Sequence, residues 1–138
     1  MSLSTEIRSG RHCVFLMHVH LVFVTKYRRK IFNKAIIDDL KLIFEKVCTD
    51  FECDLKEVDG EDDHVHLLVN FPPKVCISKL VNSLKGVSSR LIRRKYGVQF
   101  GKHYLRDALW SPSYFAGSCG GAPLDMIKRY IQSQNTPC

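Results

Sequence analysis

The chain has 138 residues and is 45% hydrophobic, which is enough for one domain with a sizeable core. Twenty-one Lys and Arg against fourteen Asp and Glu give a formal charge of +7. This balance suits a polyanionic partner, the alternative being a basic protein without one. No apolar run reaches about 18 residues, so no membrane span is expected, and the first residues lack the features of a signal peptide. We therefore expect one cytoplasmic domain over 1–138, with a flexible arm over 1–10.

Hydrophobic periodicity predicts the secondary structure along the chain. The predicted elements are a strand over 11–25, a helix over 34–48, strands over 51–58 and 63–69, a helix over 78–96, a strand over 109–118 and a helix over 122–136. The order β-α-β-β-α-β with one further helix is the ferredoxin-like plan. The sequence thus predicts an α+β fold, in which two helices cover one face of a four-stranded antiparallel sheet and an extra C-terminal helix follows.

Two histidines share one face of the predicted third strand. His64 and His66 are two residues apart, and side chains at that spacing point the same way on a strand. Two imidazoles side by side can converge on one metal ion, although they supply only two ligands. The alternative is a pair of ordinary, half-exposed strand histidines. His18 and His20 repeat the pattern on the first strand, which the ferredoxin-like plan places beside the third, and rank second as a ligand pair.

The predicted C-terminal helix carries Tyr130 and Gln134 at i, i+4, beside an apolar stripe. Two helices already cover one face of the sheet, so this helix is expected on the open face, with Val14, Leu16, Val22 and Val24. That packing would bring Tyr130 and Gln134 toward the His pair. A tyrosine oxygen can attack phosphorus, and a glutamine oxygen can bind a metal ion. The alternatives are a core tyrosine and a solvated glutamine.

Four segments together resemble one known family. They are HLVFVTKYRR at 20–29, DHVHLL at 63–68, LWSPSYF at 109–115 and KRYIQSQ at 128–134. In this order they resemble the single-tyrosine HUH transposases of bacterial and archaeal insertion sequences, over roughly the whole of 12–135. The chain departs from the family in Glu61 and Asp62, which precede the motif where a proline is more usual, and this places an extra carboxylate near the ligands.

The resemblance implies a role for each site residue. His64, His66 and Gln134 would hold Mg²⁺ or Mn²⁺, Tyr130 would be the nucleophile, and His20 and Asp63 are candidates for supporting the ligands. The substrate would be single-stranded DNA with hairpins at the element ends. It would be cut through a 5′-phosphotyrosine and rejoined without ATP. The resemblance also implies a homodimer in which the tyrosine helix crosses to the partner, with Gly120 and Gly121 as a suitable hinge.

Basic residues cluster in two places, after the first strand and along the second helix. The predicted DNA contacts are Lys26, Tyr27, Arg28, Arg29, Lys30, Lys85, Arg90, Arg93 and Arg94. Cations would meet phosphates, and a base could stack on Tyr27. For the helix residues, the alternative is simple solvation and complementarity to the helix dipole.

Two other functions remain open from the sequence. A non-catalytic module would bind single-stranded or hairpin nucleic acid without any metal, and with a steep salt dependence. A metal-dependent hydrolase would use the His pair and an activated water, and would cut without forming a protein–DNA adduct. The i, i+4 pair of Tyr130 and Gln134 favours the transferase over the hydrolase.

Overall fold

Four strands form the central antiparallel sheet of the structure, a computed structural model that describes residues 7–101, 108–118 and 124–134. In chain order the elements are β1 (Arg8–Ser9), β2 (Val14–Phe15), β3 (His18–Val24), α1 (Lys34–Asp50), β4 (Asp54–Gly60), β5 (His64–Asn70), α2 (Ile77–Phe100), β6 (Phe115–Ser118) and α3 (Leu124–Ser133). The sheet order is β4-β5-β3-β6, so β3 and β5 are the central neighbours. This is the ferredoxin-like α+β arrangement that the sequence predicts.

The register of the two central strands decides which side chains share a face. Val22 lies opposite His66, and Val24 lies opposite His64. The alternate residues point to the other face, where they form the main core with α1 and α2. On the sheet, these core residues are Val19, Leu21, Phe23, Val65, Leu67 and Val69. The histidine face is therefore the face that α1 and α2 leave open, as the alternation predicts.

The first helix begins at a side-chain cap. The Asn33 side chain accepts a hydrogen bond of 2.9 Å from the Ile36 amide, which satisfies one free amide of the first turn. A stripe of apolar side chains then faces the sheet at helical spacing, and it consists of Ile36, Leu40, Phe44 and Val47. The helix ends at Asp50, two residues beyond the predicted end.

The second helix is longer than the range 78–96 that the sequence predicts. Gly97 lies inside it, and the helix ends at Phe100. Tyr96 is buried, and its ring stacks on that of Phe100 with centroids 6.3 Å apart. Packing of this last turn outweighs the roughly 1 kcal/mol that a glycine costs in a helix interior. The residue that follows, Gly101, has φ 91°, a conformation that favours glycine.

The prediction of a single strand over 11–25 is wrong, because this segment forms two strands that pair in different sheets. Its first part, β2, pairs with β1 in a separate two-stranded sheet, and only β3 joins the main sheet. The predicted arm over 1–10 is therefore structured at Arg8 and Ser9. Arg8 donates a hydrogen bond of 2.6 Å to the side chain of Asn70, which is fully buried at the end of β5.

The last strand is shorter than the predicted range of 109–118. Trp110 makes only an isolated bridge to Thr25, and β6 begins at Phe115. Pro112 lies between them and has no amide hydrogen to offer a neighbouring strand. Trp110 is buried in the main core, and its indole nitrogen donates a hydrogen bond of 2.9 Å to Ser88.

Helix α3 packs on the open face, at one end of the sheet. Ile127 forms a second buried cluster with Val22 and Val24, as predicted. Val14 and Leu16 are exposed, so the prediction that this helix also covers them is wrong. A helix of ten residues spans about 15 Å, and β2 has already left the main sheet.

Some predicted features lie outside the described residues. These include residues 1–6 of the arm, the hinge at Gly120 and Gly121, and both predicted ends of the last helix at 122–123 and 135–136. Within the described ranges, no helix combines the length and the apolar character that a membrane crossing requires.

Candidate active site

The His pair lies on β5, on the face that α3 covers. The rings of His64 and His66 are nearly parallel, with an interplanar angle of 18° and centroids 6.0 Å apart. His64 is buried and His66 is half-buried, so both imidazoles lie at the edge of the packed region. The two side chains therefore share a face, as their spacing predicts.

Each imidazole has a partner at its Nδ1 atom. Nδ1 of His64 lies 2.8 Å from Oδ1 of Asp63, and Nδ1 of His66 lies 3.4 Å from Nε2 of His20. A histidine that binds a metal through one nitrogen usually has its other nitrogen held in this way. The contacts leave Nε2 of both rings for a ligand, so the pair fits two ligands of a metal ion.

Burial also favours the neutral imidazole that a metal ion requires. Desolvation lowers the pKa of His66 below its ordinary value, although Asp59 opposes the shift. Desolvation, and next the proximity of His66, lower the pKa of His20 in the same way. Both rings are thus neutral at neutral pH, and a neutral nitrogen offers the lone pair that binds a metal. Within the described residues, no group of three or more His, Cys, Asp or Glu side chains is arranged to hold an ion.

Tyr130 packs away from the His pair, against β6. Its ring contacts that of Phe115, with centroids 5.9 Å apart. Its hydroxyl is buried and has no hydrogen bond of normal geometry among the described residues. Burial raises the pKa of Tyr130, while the nearby hydroxyls of Ser113 and Ser111 partly offset that shift. The phenol is therefore protonated in this position.

Gln134 is also engaged elsewhere. Its Oε1 atom, the oxygen that would bind a metal ion, accepts a hydrogen bond of 2.7 Å from Ser111. Within the described part of the chain, no hydrogen bond or ring contact joins Tyr130 or Gln134 to His64 or His66. Among the described residues of one chain, the four therefore make no direct contact across the two elements, and their assembly into one site stays a prediction.

The orientation of α3 explains why Tyr130 and Gln134 do not contact the His pair of their own chain. Ile127 packs over Val22 and Val24 at the end of β3, and Tyr130 then falls on the side of β6. The other side of the helix faces β5, where Lys128 and Gln132 help to line a cavity of about 360 Å³ next to His64. Neither side chain was predicted as part of the site. The sequence feature that could have indicated them is their four-residue spacing beside the apolar stripe of the helix, but this spacing is common on any amphipathic helix.

The predicted DNA contacts differ in where they point. Tyr27 and Lys30 are exposed, and the Lys26 ammonium lies over the Tyr27 ring at 5.4 Å. Arg28 is instead turned inward, and its Nε atom lies 3.5 Å from Oδ2 of Asp63. The basic loop thus offers some side chains to a ligand and directs one to the site.

The ammonium of Lys85, a predicted DNA contact, donates hydrogen bonds of 2.6 and 3.0 Å to the carbonyls of Ser111 and Ser113. Burial also lowers the pKa of Lys85. Arg90 and Arg94 are exposed on α2. They lie in the helical layer on the opposite side of the sheet from the His pair, so they do not line the same cavity.

The chain is similar to known transposases along nearly its whole length. The family model described as "Transposase IS200 like" matches residues 13–134. The ISDra2 transposase TnpA of Deinococcus radiodurans is 30% identical over 133 residues, which cover 96% of this chain and 94% of that relative. The transposase for insertion sequence element IS200 of Salmonella typhimurium is 31% identical over 127 residues, which cover 92% of this chain and 82% of that relative.

Two solved structures are also similar. A crystal structure from Deinococcus radiodurans R1, described provisionally as a transposase, matches with a TM-score of 0.86 and 29% identity. The matched region covers 94% of this chain and 99% of that protein. A REP-associated tyrosine transposase bound to a REP hairpin has a TM-score of 0.54 and 12% identity, and covers 90% of this chain and 67% of that one. At that identity, the second likeness concerns the fold alone.

Proposed function

Because this chain belongs to the family of IS200-like transposases, enzymes that cut and rejoin DNA, we propose that it transfers single DNA strands through a 5′-phosphotyrosine at Tyr130. The observation that carries this proposal is the paired geometry of His64 and His66, whose Nδ1 atoms are both held by a neighbour. A tyrosine on the helix that packs over the same face supplies the nucleophile.

In the cutting step, Oη of Tyr130 attacks a backbone phosphorus. The phenol gives up its proton as a phosphorus–oxygen bond to tyrosine forms, the bond to the 3′ oxygen breaks, and the released 3′ oxygen takes up a proton to become a 3′-hydroxyl. In the joining step, a second 3′-hydroxyl attacks the phosphotyrosine and restores the phenol. One phosphate ester replaces another in each step, so the reaction requires no ATP.

A divalent ion, Mg²⁺ or Mn²⁺, would polarise the phosphoryl oxygens and orient them for in-line attack. His64 and His66 would hold it through Nε2, and Gln134 would add an oxygen once it leaves Ser111. Asp63 and His20 keep the two rings in the orientation that this requires. The family membership and the donor set support this assignment.

We propose that the working form is a homodimer in which α3 of one subunit serves the His pair of the other. Tyr130 and Gln134 lie toward β6 and Ser111 in their own chain, with no described contact to its His pair. Exchange of α3 would move Tyr130 out of the packing that raises its pKa.

The proposed substrate is single-stranded DNA with a hairpin, met in the cytoplasm where the chromosome lies. The charge of +7 favours a polyanion, and exposed Tyr27 and Lys30 offer a stacking surface and a cation beside the cavity at His64. The REP-associated neighbour of the same fold is bound to a REP hairpin, and a hairpin is the substrate that we propose for this chain.

The test is a denaturing gel of hairpin DNA, labelled at either end and incubated with the protein and Mn²⁺. We expect a metal-dependent adduct that retains the DNA on the 3′ side of the cut. Tyr130→Phe should abolish the adduct and keep DNA binding, whereas Tyr114→Phe, a matched control outside the site, should retain it. Cleavage without an adduct would indicate the hydrolase.

A binding module is the second candidate, because the described chain leaves Tyr130 and Gln134 apart from the His pair. It predicts tight, metal-independent binding of the matched hairpin and no cleavage with either ion. The same gel, run beside a binding assay, distinguishes the two functions.

A further inference from the structure

The basic loop after β3 is fixed to the strand that carries the His pair. The Thr25 amide donates a hydrogen bond of 2.9 Å to the Asp63 carbonyl, and the Thr25 hydroxyl donates one of 2.8 Å to the Arg29 carbonyl. Between these anchors, Tyr27 and Arg28 have φ values of 61° and 53°. Two consecutive non-glycine residues in the left-handed region persist only where the surrounding structure holds them.

This backbone directs Arg28 inward while its neighbours point outward. The Arg28 side chain is 25% exposed, and its Nε atom lies 3.5 Å from Oδ2 of Asp63, whose side chain is 7% exposed. That Nε atom is buried and makes no hydrogen bond of normal geometry within the described ranges, so this ion pair is its polar contact there. Tyr27 and Lys30 are exposed. Arg28 therefore differs in kind from the residues beside it.

Asp63 connects Arg28 to the metal-ligand candidate. Its Oδ2 faces Arg28, and its Oδ1 lies 2.8 Å from Nδ1 of His64. A buried carboxylate requires partners for its charge, and a cation on one oxygen restricts where the other can point. Arg28, Asp63 and His64 also line the same cavity of about 360 Å³.

We propose that Arg28 is a positioning residue for His64. By holding the Asp63 carboxylate, it keeps a proton on Nδ1 of His64 and leaves Nε2 free to bind the ion. Binding of the ion at His64 is part of the proposed function, so the inference rests on that function.

Three variants separate this role from a phosphate contact. Arg28→Asn removes the guanidinium but tolerates a left-handed backbone better than alanine does. Lys30→Asn is the matched control, because Lys30 is exposed and lines the same cavity. Arg28→Lys keeps the positive charge, and we expect it to rescue part of the effect.

The first readout is the His64 tautomer in metal-free protein, measured by long-range ¹H–¹⁵N NMR. The wild type should carry the proton on Nδ1, and Arg28→Asn should show a mixture of both tautomers. The second is Mn²⁺ affinity without DNA, measured by EPR. Arg28→Asn should lose about tenfold, the scale typical of residues that hold metal ligands, whereas Lys30→Asn should match the wild type in both readouts.

The salt dependence of hairpin binding completes the test. Lys30→Asn should lower its slope by about one, as loss of a phosphate contact does. If Arg28→Asn lowers that slope while its tautomer and Mn²⁺ affinity stay at wild-type values, Arg28 is a phosphate contact and the inference is overturned. If Arg28→Asn does not fold, the same readouts on Arg28→Lys decide, and wild-type values in all of them overturn it. A wild-type protein without Mn²⁺ affinity would contradict the proposed function instead, and the tautomer would still decide the inference.

Discussion

Replacing Tyr130 by phenylalanine should make the protein more stable while it abolishes the proposed chemistry. The Tyr130 hydroxyl is buried without a hydrogen bond of normal geometry in the described structure. An unsatisfied buried polar group costs about 1–3 kcal/mol. Tyr130 is only half-buried, and the Ser113 and Ser111 hydroxyls lie close enough to compensate in part. We therefore expect Tyr130→Phe to raise the free energy of unfolding by about 0.5–1 kcal/mol.

Urea denaturation of the metal-free protein measures this difference, and an unchanged m-value would show that the unfolded state is unaffected. Ser111→Ala is the counterpart, because it removes the 2.7 Å hydrogen bond to Gln134. It should cost about 1 kcal/mol. A loss of stability in Tyr130→Phe would refute the reasoning, since it would mean that the phenol is hydrogen-bonded in the resting chain.

Other perturbations test the remaining parts of the structure. Asp63→Asn should weaken Mn²⁺ binding without DNA by about tenfold or more in calorimetry, because His64 loses its carboxylate partner; unchanged affinity would remove Asp63 from the site. Burial lowers the pKa of His20 and of His66, so the unfolded chain binds protons at these residues more readily than the folded one. The stability of the folded state is therefore unaffected by them above about pH 6.5 and declines as the pH falls toward the folded-state pKa values. Urea midpoints between pH 7.5 and 5 should fall, and by less in a variant with both residues changed to Gln. Trp110→Phe should cost about 2–3 kcal/mol in urea denaturation, through the lost bond to Ser88 and the cavity; a neutral result would contradict this packing. Gly101→Ala should cost about 1–2 kcal/mol because of its φ of 91°, and equal stability would show that the helix end adapts.

The sheet was predictable because its signal is local and repeated. Alternation along β5 places Val65, Leu67 and Val69 in the core and the His pair on the other face, and a shift of one residue would invert both. The same reasoning identified Val22 and Val24 as the base for the last helix. Burial of one face strongly constrains the register of a strand, and the alternation of apolar residues in the sequence shows which face is buried.

The lengths of elements were less predictable, because tertiary contacts decide them. Gly97 marks a helix end by local preference, yet the packing of Tyr96 extends α2 to Phe100. The strand predicted over 11–25 has no local break, and only the pairing of Arg8 and Ser9 with β2 divides it. Neither partner can be read from the segment itself.

Side-chain direction is the part of the site that the sequence does not supply. Tyr130 and Gln134 were correctly assigned to the face-covering helix, but rotation about the helix axis is set by where Ile127 packs. Arg28 and Lys85 were both predicted as DNA contacts, and the fold distinguishes them: the backbone turns Arg28 inward, and backbone carbonyls bind the Lys85 ammonium. Composition reports charge, and only the fold reports where each charge points.

The most direct test that α3 of one subunit serves the His pair of the other is complementation of two inactive proteins. Tyr130→Phe retains the His pair, and a protein with His64→Ala and His66→Ala retains the tyrosine. If α3 serves the partner's site, an equal mixture allowed to exchange subunits should recover adduct formation at about one quarter of all sites, because half of the dimers are mixed and each has one complete site. Adduct formation that stays absent in the mixture, although each protein binds the hairpin and the wild type forms the adduct, would contradict the account and place Tyr130 and the His pair in the same chain's site.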